Sequence, residues 1–251
     1  IAVGRNALAA VTSGANNIGI GLNAGDAVNS GSNNIGVGSG SLGSLTTGEK
    51  NVCIGYNAGT TLVDDIKNVF IGFEAGLAST ASNVVAIGHQ AMRAASVQPG
   101  SIAIGDSALT ALTSGTANVG IGQNALMAVG GVANNTAVGT YCLQTTTGSN
   151  NTAMGYAALY GSSSGGSDNT VIGSQVGRYY GASGSNAVTG ASQCTAVGST
   201  VRFSTATPVN ETAIGYGAVT TQPNETNIGA DNPVKQITKS VTCNLGGDVA
   251  N

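Results

Sequence analysis

The chain has no tryptophan, three phenylalanines and one histidine, and charged residues make up 8% of its 251 positions. With a net charge of −3 it offers no basic footprint for a phosphate backbone, so no nucleic-acid partner is expected. No apolar run approaches the roughly 20 residues of a membrane span, so membrane insertion is not expected. The four cysteines have neither metal-ligand nor redox spacing, and no cofactor is expected. His89 has no cysteine or serine partner at catalytic spacing and reads as a solvent-facing side chain. The 11 acidic residues are scattered, whereas a polysaccharide-cleaving enzyme needs carboxylates paired across a cleft. The adjacent Asp64 and Asp65 fall in a connector and read as a solvated loop tip. These absences point away from an enzyme.

Glycine is abundant instead, at 40 residues, and it is placed with a period. The stretch Asn51-Val52-Cys53-Ile54-Gly55-Tyr56-Asn57-Ala58-Gly59 has copies beginning at Asn17, Asn68 and Asn118. The glycine after the second aliphatic residue marks each copy: Gly4, Gly21, Gly38, Gly55, Gly72, Gly88, Gly105, Gly122, Gly139, Gly155, Gly173, Gly198, Gly215 and Gly229. Most steps are 17 residues, several differ by one, one is 25 and the last is 14. A step this regular means a stack of like units. A composition so rich in glycine can signal disorder, but the apolar fraction is 41% and strictly placed.

The residue before each marker is Ile, Val or Met, and the residue three before it, from Ile18 on, is Ile, Val or Thr. This is period two with β-branched side chains on one face, the pattern of a short strand. No helical run of apolar spacing exists, and Gly and Asn recur too often to allow one. The chain is expected to be all-β: a parallel β-solenoid, or β-roll, of about 13–14 coils with a 17-residue repeat. At about 4.8 Å per coil the rod is roughly 60 Å long. Repeats are expected over 1–229, and 230–251 reads as a cap or the start of a following domain. The chain opens on Ile1 inside a repeat with no signal peptide in view, so a fragment or processed piece is expected.

The β-branched face of each strand is expected to fill the interior. The alternate face, with Gly19, Gly36, Ala86, Ala103, Gly120, Ala137 and Ala153, is too small for a core layer on this reading. It is expected to lie outside, where another chain packs closely. A second apolar stripe runs three and four residues after each marker, as in Ala58-Gly59 and Ala108-Leu109. The asparagines Asn17, Asn34, Asn51, Asn68, Asn118, Asn135 and Asn151 recur at one corner, where stacked amides form ladders. Cys53 and Cys142 stand five coils apart, too far for a disulfide, and the cysteines read as small apolar fillers.

The residue just after the marker varies freely, from Leu22 and Tyr56 through Phe73, His89 and Asp106 to Tyr156 and Tyr216. A variable slot in a strict repeat is expected to face outward, and its aromatics suit stacking on sugars. The 25-residue step is eight longer than 17, in a segment that reads Arg178-Tyr179-Tyr180-Gly181-Ala182-Ser183-Gly184-Ser185-Asn186. Insertions in solenoids leave as loops, often on the binding face. Arg178, Tyr179 and Tyr180 are therefore candidate contact residues, with Tyr56, Phe73, Tyr156 and Tyr216 of the slot.

Units such as Asn150-Asn151-Thr152-Ala153-Met154-Gly155-Tyr156-Ala157-Ala158-Leu159 resemble repeats in tail fibres and spikes of phages and large viruses. They are also similar to head repeats of trimeric autotransporter adhesins, which form left-handed β-roll trimers. The resemblance covers nearly the whole chain, and the 17-residue step favours the viral fibre over the adhesin head. Asn224-Glu225-Thr226-Asn227-Ile228-Gly229 looks like the end of such an array. The resemblance implies an intimately packed homotrimer on a virion or outside a cell. Such a trimer spaces and presents a surface that binds a host glycan or protein. A bacterial adhesin head, a tailspike that degrades polysaccharide and an ice-binding solenoid are the alternatives. The ice-binding reading lacks a Thr-x-Thr ladder in register.

Overall fold

Three residues suffice for a strand in this chain because the coils before and after it supply the hydrogen-bond partners. The computed structural model describes residues 1–94, 99–127, 130–145, 147–161, 166–180, 186–229 and 237–238. Its strands begin with β1 (Ala2–Val3), β2 (Ile18–Ile20), β3 (Ile35–Val37), β4 (Val52–Ile54), β5 (Val69–Ile71) and β6 (Val85–Ile87). They continue as β7 (Ile102–Ile104), β8 (Val119–Ile121), β9 (Thr136–Val138), β10 (Thr152–Met154) and β11 (Thr170–Ile172). A two-stranded hairpin follows, β12 (Tyr179–Tyr180) and β13 (Asn186–Ala187), then β14 (Thr195–Val197), β15 (Thr212–Ile214), β16 (Glu225–Ile228) and β17 (Ile237–Thr238).

The strands other than β12 and β13 form one sheet in chain order, parallel throughout except for β17, which pairs antiparallel with β16. Each residue stacks on its counterpart one coil on: Gly19 on Gly36, Gly36 on Cys53, Cys53 on Phe70. The result is a β-solenoid of about 12 turns rather than 13–14. The outer markers do not add full turns, because β1 has only two residues and β16 ends the parallel ladder. Of the expected cap, 230–251, only Ile237 and Thr238 are among the described residues.

The marker glycines set how closely the coils stack. Gly55 has φ +138°, and a Cβ on it would stand 2.1 Å from the carbonyl oxygen of Gly72. An L side chain there is both strained and obstructed by backbone.

The corner before each strand is held by a column of buried carboxamides. Asn34 donates its N–H and its Nδ2 to Asn17 Oδ1, at 3.0 and 3.2 Å. Asn51 does the same to Asn34, at 3.0 and 3.1 Å. The second proton on Nδ2 goes to a connector carbonyl of the following coil, such as Asn34 to Gly48 at 2.9 Å. The column pauses where Val84 takes the corner, and there Nδ2 of Asn68 has no partner among the described residues. It resumes through Asn118, Asn135, Asn151 and Asn169. The preceding residue is often Asn too, but it is exposed and left-handed, as Asn33 is with φ 62°.

The strand faces are opposite to the expectation. Gly19, Gly36, Ala86, Ala103, Gly120, Ala137 and Ala153 point into the rod and are buried. The flanking Ile, Val and Thr residues point outward and are half-buried or exposed. The reason is volume. The interior between the strand and the turn that follows admits about one large side chain per coil. Where the strand offers Gly or Ala, a leucine four after the marker fills the space, as Leu109 and Leu126 do. Where the strand offers Cys53 or Phe70, that position is Gly59 or Gly76. A Cβ on Gly59 would lie 2.6 Å from Cys53 Sγ, and one on Gly76 would lie 2.6 Å from the Phe70 ring. The position is left-handed from Leu8 through Gly177, φ 54° at Leu109 and φ 61° at Gly59. For a leucine this conformation costs roughly 1–2 kcal/mol, against about 1.5–3 kcal/mol from burying the side chain.

Asn135→Ala removes the acceptor for the N–H of Asn151 and the donor to Gly148. It is expected to destabilise the rod by about 2–3 kcal/mol, read as a lowered midpoint in urea unfolding with the sheet circular dichroism of the folded state retained.

Candidate surface-contact site

In-register stacking turns the variable slot into a column. Leu22, Tyr56, Phe73, His89, Asp106, Gln123, Tyr156, Ser174 and Tyr216 are exposed there, and Ser39, Thr140 and Ser199 are half-buried. Tyr56 and Phe73 stack with centroids 5.3 Å apart and 15° between planes. Phe73 stacks in turn on His89, at 5.5 Å and 19°. His89 Nδ1 lies 3.1 Å from Asp106 Oδ1. The hydrogen bond with His89, helped by one from Ser107, holds the Asp106 carboxyl below the usual carboxylate range. Phe73 therefore spends both ring faces on its neighbours. The neighbouring rings of Tyr56 and His89 thus occupy the positions at Phe73 where a stacked sugar is expected from the sequence.

An ionic cluster lies beside this stack. Arg93 Nε donates to Glu74 Oε2, and Gln90 Nε2 donates to the same oxygen at 3.2 Å. The Arg93 hydrogen bond holds the Glu74 carboxyl below its ordinary range. Asp65 goes the other way, raised mainly by burial.

A second aromatic group forms where the 25-residue step interrupts the repeat. Tyr141 meets Tyr156 and Tyr160 edge-to-face, each pair 6.1 Å apart, at 76° and 79°. The guanidinium carbon of Arg178 lies 5.0 Å from the Tyr160 ring centre and 4.9 Å from that of Tyr179. Tyr179 belongs to the β12–β13 hairpin, in which Tyr179 pairs with Ala187 and Tyr180 with Asn186. Residues 181–185 of the insertion lie outside the described residues.

The structure thus brings together Arg178, Tyr179 and Tyr156 from the predicted set, joins Tyr56 to Phe73, and leaves Tyr216 apart, 75% exposed. Sequence reasoning missed Tyr141 and Tyr160. The signal was the register. Tyr160 stands five after Gly155 and Arg178 five after Gly173, so the two share one slot in consecutive coils.

Among the described residues no group of three or more His, Cys, Asp or Glu is placed to hold a metal, and no helix is long and apolar enough to cross a membrane. Cys53, Cys142 and Cys194 are free and buried. Burial pushes the Cys53 thiol far up, that of Cys142 up to about 12 and that of Cys194 to about 11. Two acids, Glu211 and Glu225, take the corner where asparagines stand in earlier coils. Glu211 accepts the Ser204 N–H at 3.0 Å, and Glu225 accepts that of Gln222 at 3.0 Å.

Two measurements follow from these environments. The Glu74 carboxyl has a lowered folded-state pKa, so the stability it contributes is present above the unfolded value of about 4.3 and is lost as pH falls through the lowered folded value. The melting temperature of the wild type is expected to exceed that of Arg93→Ala at pH 7, with the gap closing as the pH drops below about 4. The buried thiols Cys53, Cys142 and Cys194 are expected to resist a disulfide reagent at pH 8 in the native rod and to react fully in denaturant. Peptide mapping of the modified cysteines checks this.

No family model, no curated protein and no solved structure matches the chain.

Proposed function

We propose that this chain is a structural and adhesive fibre segment, a homotrimeric rod that spaces and presents a host-binding surface on a virion or outside a cell. The observation that carries the reading is the outward face of the sheet. Two columns of side chains run along it, and from Ile18 to Ile214 neither holds a charged residue. Ile20, Ile54, Ile104 and Met154 are 37–49% exposed in the single chain. Twelve successive strands of this kind make an apolar ladder far longer than the scattered apolar residues normal on a monomer. Its occupant is a second and a third copy of the chain. Identical rods carry identical ladders at the same coil spacing, so side chains interdigitate in register along the whole length. Closing three faces around one axis buries all three ladders at once. The small residues expected to carry the interface are inside the rod, so in the proposed trimer the β-branched face carries it and contributes apolar area.

The resemblance to viral fibre repeats supports the same reading and favours it over a bacterial adhesin head. A tailspike enzyme fits less well. The carboxylates Glu74, Asp106, Glu211 and Glu225 are each engaged by neighbouring donors, and none is paired with another acid.

Light scattering of the native protein at low concentration tests the assembly. The expected mass is three times 24.3 kDa. Ile54→Lys combined with Ile104→Lys is expected to give a particle of one chain with unchanged sheet circular dichroism, because both side chains point outward. A monomeric wild type overturns the trimer. Binding of the labelled rod to intact cells tests the adhesive role.

A further inference from the structure

We infer that Tyr141, Tyr156, Tyr160, Arg178 and Tyr179 form a binding site for a carboxylated sugar. The inference rests on the adhesive reading and names the ligand class. Five of the seven tyrosines lie between positions 141 and 180, in a chain with few aromatics. Stacking in register, together with the β12–β13 hairpin, puts two of them, Tyr160 and Tyr179, against one cation and links Tyr141 and Tyr156 to Tyr160 through edge-to-face ring contacts.

The geometry points to the ligand. The Tyr160 and Tyr179 rings lie about equally far from the Arg178 guanidinium, which cation–π attraction holds in place. Such contacts leave the N–H fork for an acceptor, and the flat, weakly hydrated guanidinium matches a carboxylate in a bidentate pair. Among the described residues no carboxylate meets this cation; the ion pairs there belong to Lys50, His89 and Arg93. The charge is therefore left for a partner from outside. Tyr141 and Tyr156 extend the patch with rings set edge-to-face, and Tyr156 is 46% exposed. Apolar rings with hydroxyls at their tips suit a pyranose, whose C–H groups and hydroxyls alternate. A pure staple for the hairpin would need the Arg178 stack but not the Tyr141–Tyr156 extension. The slot stack of Tyr56, Phe73 and His89 lacks both features, since its rings cover one another and His89 already faces Asp106.

The test uses the full chain with 3′-sialyllactose and a hyaluronan tetrasaccharide as carboxylated probes, and lactose and a sulfated lactose as controls. Saturation-transfer NMR detects contact and titration calorimetry gives affinity. At least one carboxylated probe is expected to bind, with lactose at least roughly tenfold weaker. Arg178→Gln is expected to abolish the preference, and Arg178→Lys to weaken binding by about tenfold because the bidentate pair is lost. Lys50→Gln, at an exposed cation outside the site, is expected to leave binding unchanged. Unaltered melting of the Arg178 variants keeps a folding defect from imitating the result. The inference is overturned if neither carboxylated probe binds, if the sulfated sugar is preferred, or if Arg178→Gln binds as the wild type does. Cell binding that survives Arg178→Gln overturns this site as the basis of attachment and leaves the adhesive reading standing. Arg178-dependent binding of a carboxylated probe without any cell binding supports the site and removes the adhesive reading.

Discussion

Every coil of this rod must hand its main-chain hydrogen bonds to the next coil in phase, and the rest of the structure depends on that constraint. Strands of three residues cannot stand alone. They persist because each is paired on both sides and because the corner asparagine accepts the N–H that would otherwise be orphaned where the strand begins. The marker glycine completes the arrangement by letting one backbone lie directly against the next. A residue added to or lost from a connector is tolerated, as the 16- and 18-residue steps demonstrate, because those residues lie between the points held in register. The corner and the marker themselves stay a fixed four residues apart throughout the regular coils.

The same constraint governs the core. The space between a strand and the turn after it leaves room for little more than one large side chain, so bulk must be shared between the two. Cys53 and Phe70 sit opposite glycines, while Gly120 and Ala103 sit opposite leucines in the interior. Gly19 follows the rule across coils: a Cβ there would meet Leu8 of the first coil at 2.8 Å. The two β-branched residues that flank each strand centre do not both fit inside and become the outer face, although a single one enters at a strand centre, as Val171 does. Their enrichment reflects strand propensity and, in the proposed trimer, burial between chains.

Stacking in phase also decides what the surface can do. A slot that varies between coils becomes a column of unlike side chains about one strand spacing apart, roughly 4.8 Å. Aromatics in successive coils then cover one another, as Tyr56, Phe73 and His89 do. The 25-residue step breaks this pattern by placing a hairpin tyrosine against Arg178, and the inferred site depends on that break.

Most of the architecture was legible in the sequence. The period, the position of the solenoid strands from β2 to β11 and of β14 and β15, the parallel order and the column of Asn17, Asn34 and Asn51 all follow from spacing, because a regular repeat admits one way of stacking. The inward face was not legible from the strand alone. A three-residue strand places its centre on one face and its ends on the other, and alternation says nothing of which is inside. The interior volume decided it, although the exchange of Leu109 for Gly59 against Ala103 for Cys53 carried the clue. The contact group was half legible. Arg178 and Tyr179 stood out as an insertion, whereas Tyr160 became visible only when counted from its marker, and Tyr141 only when the rings were placed in space. Register along the rod is a property of the sequence. Proximity across the hairpin belongs to the tertiary structure, since the path of an inserted segment is set by what it packs against and not by the repeat it interrupts.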